Sequence, residues 1–90
     1  PLRYRMLFFH IINKGQKDRV DEILKVLQNM NKELPDEANR MSVLRELTGF
    51  ERIANQQQKE KASTYLQEIS NNLQPNNAAY VQSLITRIKK

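Results

Sequence analysis

Apolar residues along this chain recur at intervals of three and four, and no long segment alternates between apolar and polar, so the pattern predicts helices throughout. The first helix is expected from Leu2 to about Asn13. Leu2, Met6, Phe9 and Ile12 or Asn13 form one stripe, which Tyr4, Leu7, Phe8 and Ile11 widen until most of the circumference is apolar. A helix of that kind is expected at the centre of its bundle. Asn13, Lys14 and Gly15 mark its end, because glycine accepts the left-handed conformation after a last turn and lysine suits the carbonyl end of the dipole. A strand over 6–12 would have no partner strand elsewhere.

A second helix is marked by Val20, Ile23, Leu24, Leu27, Met30 and Leu34, with Asp18 expected as N-cap and Asp21 and Glu22 in the first turn. Pro35 stops it by removing a backbone donor and holding Leu34 extended. A third starts near Pro35 and Asp36 and carries Ala38, Met41, Leu44 and Leu47. Its spacing of three drifts around the axis and predicts a bend or early stop. Thr48 followed three residues later by Glu51 reads as a capping box, so a new helix is expected after Thr48, with a break at Gly49. From Phe50 onward Ile53, Ala54, Ala62, Tyr65, Leu66, Ile69 and Leu73 share a stripe. The polar run 56–61 within it is either a solvent-facing stretch or a joint. A turn cluster over 71–77 follows, and Asn77 is expected to cap a last helix carrying Ala78, Val81, Leu84, Ile85 and Ile88. The expected architecture is all-α, a small antiparallel bundle of four to five short helices.

Ninety residues suffice for one domain with one modest core. The chain opens on Pro1 rather than Met, which suggests a module excised from a longer protein. The absence of cysteine excludes a disulfide frame, a thiol nucleophile and thiolate metal ligation, and the single histidine, His10, excludes a multi-histidine metal site. The longest apolar run, 6–9, falls far short of the roughly 20 residues of a membrane span. No secretory signal pattern is visible, which favours a cytoplasmic setting.

Catalytic chemistry finds no footing in these residues. His10 lies in the most apolar segment and reads as a packed or half-exposed helix residue. The neighbouring carboxylates Asp21 and Glu22, or Asp36 and Glu37, do not face each other on a helix. Two isolated glycines do not make a phosphate-cradling loop. The expectation is a protein that is not an enzyme, with no catalytic residues, no metal and no cofactor.

Binding remains, in two forms. The first helix has more apolar residues than one core can use. The surplus is expected to be Tyr4, Phe8 and Ile11, joined by Tyr80, forming a face or groove for another protein. Alternatively, the net charge of +5 points to nucleic acid. That charge is terminal: residues 1–30 hold six basic and three acidic groups, 31–60 five and six, and 61–90 four and one. If the first and last helices lie side by side, Arg3, Arg5, Arg87, Lys89 and Lys90 would form one phosphate-binding patch.

The run 44–58 resembles a helix-turn-helix, with a turn at Gly49 followed by Glu51, Arg52, Asn55, Gln56, Gln57 and Gln58, residue types that read base edges. It departs from that motif at Asn55, where an apolar residue is usual, and at Arg45, where a small one is. In size, basic charge and helical content the chain also resembles the bacteriocin immunity proteins, which would imply a small stand-alone regulator, although no shared motif carries that likeness.

Overall fold

The computed structural model describes residues 1–90 and contains seven α-helices and two 3-10 turns, with no strand. The all-α bundle expected from the periodicity is what forms.

Helix α1 (Leu2–Asn13) ends as its sequence requires. Gly15 takes φ +63°, the Gln16 N–H donates to the Ile11 carbonyl (2.9 Å) and the Gly15 N–H to that of Ile12 (3.2 Å), a Schellman ending. A 3-10 turn, Lys17–Arg19, then leads into α2 (Val20–Gln28). Asp18 lies inside this turn and caps nothing. Its expected role is displaced because Arg19 clamps Glu22 through two hydrogen bonds, 2.7 and 3.0 Å, at the start of α2. The predicted second helix is divided at Asn29, whose side-chain amide donates back to the Lys25 carbonyl (3.0 Å), and α3 (Met30–Glu33) completes it. The apolar stripe survives the break, since Met30 and Leu34 are both buried.

Asp36 caps α4 (Glu37–Leu44), accepting from the Asn39 N–H at 3.2 Å. The drifting stripe ends in a second 3-10 turn, Arg45–Leu47, and the chain breaks at Gly49 before α5 (Phe50–Ile53). The break is where the sequence places it, but no Thr48 capping box forms. Gly49 itself is the N-cap at φ +95°, and a Cβ there would stand 3.1 Å from Ile12 and 2.6 Å from the Arg52 guanidinium. A side chain would separate this turn from α1 as well as strain the backbone. The capping box lies instead at the head of α6 (Gln56–Ser70): Asn55 accepts from the Gln58 N–H (2.8 Å) and the Gln58 side chain accepts from the Asn55 N–H (2.9 Å). The polar run 56–61 is thus the first turns of α6, after a joint at Ala54 and Asn55. Pro75 opens α7 (Pro75–Lys89) as its first residue, with Gln74 rather than Asn77 at the cap.

Helices α6 and α7 form an antiparallel pair, with α2 against α6 and α5 against α7. Helix α1 packs on α2, α4 and the 45–47 turn. It is not enclosed as its composition suggested, because Leu2, Met6 and Phe9 remain exposed on its outer side. The molecule measures 31 × 27 × 17 Å, so its thinnest dimension accommodates about two helical layers at the usual 8–10 Å separation. In so thin a body every helix keeps an outer face.

One polar clamp ties α4 to the α6–α7 connection. The buried Arg40 guanidinium donates to the carbonyls of Leu34 (2.8 Å), Pro35 (2.9 Å) and Asn72 (3.2 Å). One turn earlier, Glu37 Oε2 accepts from the Asn77 side-chain amide (2.6 Å) and the Gln74 N–H (2.9 Å). A cation thus faces the carbonyl end of α6 while a carboxylate occupies the amide end of α7, the signs that helix dipoles favour. The Asn77 and Gln74 hydrogen bonds, helped by the nearby charge of Arg40, hold the Glu37 carboxyl below its ordinary value of 4.5. A depressed native pKa adds stability above the unfolded value, and that stability is lost as pH falls through the native one. The thermal midpoint of Glu37→Gln should therefore fall below wild type at neutral pH, and the two should converge on acidification below 4.5. A midpoint difference constant from neutral to acidic pH would remove Glu37 from this role.

Candidate protein-docking face

The structure inverts the expected division of α1. Phe8 and Ile11 are 0 % exposed and belong to the core, so neither is available to a partner. Tyr4 is half-buried and donates its hydroxyl to Glu33 Oε1 at 3.0 Å. Tyr80 is half-buried against the core, with the Arg45 guanidinium 5.8 Å from its ring centre. The four residues expected as a binding surface are therefore two core side chains and two whose exposed edges are already engaged.

The surplus apolar face exists on the other side. Leu2, Met6 and Phe9 are 63, 50 and 51 % exposed, the three large hydrophobic side chains left outside the core. Their spacing, i, i+4, i+7, is the same as that of Tyr4, Phe8 and Ile11. Two residues of offset rotate a helix by about 200°, so the two sets lie on opposite sides. Both satisfy the rule for a buried stripe; α2 and α4 pack on one of them.

With Arg5, His10 and Glu46, these three side chains line a shallow groove of about 290 Å³ between α1 and the 45–47 turn. Arg5 Nε stands 3.8 Å from Glu46 Oε2, a long pair between partly exposed groups that restrains the groove wall only weakly. The Phe9 ring meets His10 edge-on with centres 5.8 Å apart. Arg3 lies over the Tyr4 ring, 5.3 Å from its centre, on the far flank of the stripe. A larger hollow of about 500 Å³ between α6 and α7 is lined by Glu60, Ser63, Thr64, Gln67, Glu68 and Lys89, with Ile85 the one hydrophobic residue among them. No group of three or more His, Asp or Glu side chains converges to hold a metal ion. No helix is long and apolar enough to cross a membrane.

The five cations considered for nucleic acid are all exposed. The side-by-side placement of the first and last helices is not a principal packing contact, however: α1 rests chiefly on α2 and α4, and α7 on α6 and α5. Arg87 and Lys89 lie in the last turn of α7 and complement its dipole. The helix-turn-helix likeness does not survive the backbone. Glu51 and Arg52 lie on the four-residue α5, Asn55 caps α6, and Gln58 is held by that cap and by Asp21 (3.1 Å), so 51–58 is not one recognition helix. Helix propensity alone could not reveal this, but Asn55 followed three residues later by Gln58 is a start signal that could have.

Compared with protein families, curated proteins and solved structures, the chain matches none.

Proposed function

We propose that this chain is a non-enzymatic interaction module that binds another protein through the outer face of α1. The observation that carries the reading is the exposure of Leu2, Met6 and Phe9 as one helical stripe in a chain that otherwise buries its large apolar side chains. A stripe of that kind costs solubility unless something covers it, and aromatic and methionine side chains are favoured anchors in interface cores. A stand-alone regulator that works by occluding its target would use the same face.

A photo-crosslinking amino acid placed at position 9, with one at exposed Gln57 on α6 as control, tests this in the cell that makes the protein. Discrete protein adducts are expected from position 9, absent from position 57 and lost when Met6→Asp is added. Crosslinking mainly to nucleic acid, or equal adducts from both positions, would transfer the function away from α1. Nucleic-acid binding is the weaker reading because a single patch of Arg3, Arg5, Arg87, Lys89 and Lys90 relies on α1 and α7 lying side by side, whereas α1 packs chiefly on α2 and α4, and α7 on α6 and α5.

A further inference from the structure

Resting on that reading, the structure assigns the partner a chemistry: an acidic amphipathic helix that lays its apolar side on Leu2, Met6 and Phe9. The shape argument comes from the backbone. The three side chains repeat at i, i+4 and i+7, which spans about 10 Å of helix axis, two turns, and a second helix with the same spacing fills such a row side chain by side chain.

The charge argument comes from the rim. Helix α1 contains no carboxylate, and exposed Arg5 flanks the stripe on one side while exposed Arg3 and His10 flank it on the other. Glu46 is the one acidic group lining the groove, and it stands 3.8 Å from Arg5. Carboxylates on a docking helix would meet Arg3, which forms no ion pair in the free protein, and Arg5, whose one acidic neighbour is the long and partly exposed Glu46 contact. A second copy of this chain fits poorly, because like-charged rims would face each other with Glu46 as the sole offset, and like charges across an interface suppress association. Complementary charge of this kind sets which helix binds and how fast, while the apolar row holds it.

The test uses fluorescein-labelled synthetic helices with Leu or Phe at i, i+4 and i+7, flanked by Glu in one version and by Lys in the other, titrated against the whole chain by anisotropy. The Glu version should bind wild type at least about tenfold more tightly than the Lys version, and Arg3→Glu with Arg5→Glu should reverse that order. Met6→Asp with Phe9→Asp should abolish binding of both, while circular dichroism and the thermal midpoint stay near wild type, since these side chains lie outside the core. Equal affinity for the two peptides, or binding that survives Met6→Asp with Phe9→Asp, overturns the inference. So does stronger association of wild type with phosphatidylserine vesicles than with the Glu peptide, lost in the same apolar variants, which would make the face a lipid contact. Protein adducts at position 9 without preference for the Glu peptide would leave the docking face standing and remove only its acidic partner. Absence of both would remove the two together.

Discussion

Phe8→Ala is expected to destabilise the chain by roughly 3–5 kcal/mol, whereas Phe9→Ala, one residue along, should change it by no more than about 0.5 kcal/mol. Phe8 is 0 % exposed within the one core cluster, and its removal leaves a cavity that the walls formed by α2 and α4 can close only partly. Phe9 is 51 % exposed and loses little by truncation. For a chain of this length, whose total stability is expected near 5–13 kcal/mol, the first change consumes a large share and lowers the midpoint by tens of degrees, at about 4–8 °C per kcal/mol. Urea unfolding of the two variants measures the contrast directly. Similar losses in both would mean that α1 is rotated from the orientation described, and the docking face would then have to be reassigned along with the core.

The same pair of residues shows what could be read from the chain and what could not. Periodicity places α1 from Leu2 to about Asn13, the span that forms, although its aromatic and β-branched residues are weak helix formers, and Gly15 ends it. Periodicity could not say which of two equivalent stripes turns inward, because that depends on where α2 and α4 lie, and a surplus of apolar residues blurs the one signal that would decide it. The surplus is present, as Leu2, Met6 and Phe9, but on the side opposite the expected one. Ends were misplaced for a related reason. Asp18, Thr48 and Asn77 are all suitable caps locally, but Arg19 engages Glu22, the turn at Gly49 is pressed against Ile12, and Asn77 is drawn to Glu37, a residue forty positions away. A neighbouring ion pair in the first case and long-range contacts in the other two outweigh local capping, which is worth about 1 kcal/mol. The nucleic-acid patch depended wholly on the adjacency of two helices, a property that no spacing within either helix encodes.

Arg40 takes a role that helix periodicity does not show, joining the carbonyls just before α4 to that of Asn72 across the fold, and its replacement carries the second large effect. Arg40→Ala is expected to cost roughly 2–4 kcal/mol, because three carbonyl groups lose a charged donor and the aliphatic stem leaves a gap beneath α4. Arg40→Met separates the two contributions. Methionine fills much of the stem's space and needs no hydration, and replacing a buried charge by an apolar side chain can be nearly neutral. Stability should therefore recover in part, while the carbonyl of Asn72 remains without its donor. Amide hydrogen exchange tells the two apart: Leu73, Gln74 and the first turn of α7 should exchange faster in both variants, since the connection is no longer held to α4. Arg40→Lys should fall between wild type and Ala, because one ammonium group cannot reproduce the planar fork that reaches Leu34, Pro35 and Asn72 together. Protection at 73–78 unchanged in Arg40→Met would show that the guanidinium only fills space. Coupling with Glu37 follows from the same geometry. If α4 holds both ends of the α6–α7 connection, loss of the Asn72 contact leaves Glu37 bonded to a looser chain, and the two substitutions together should cost less than the sum of each alone.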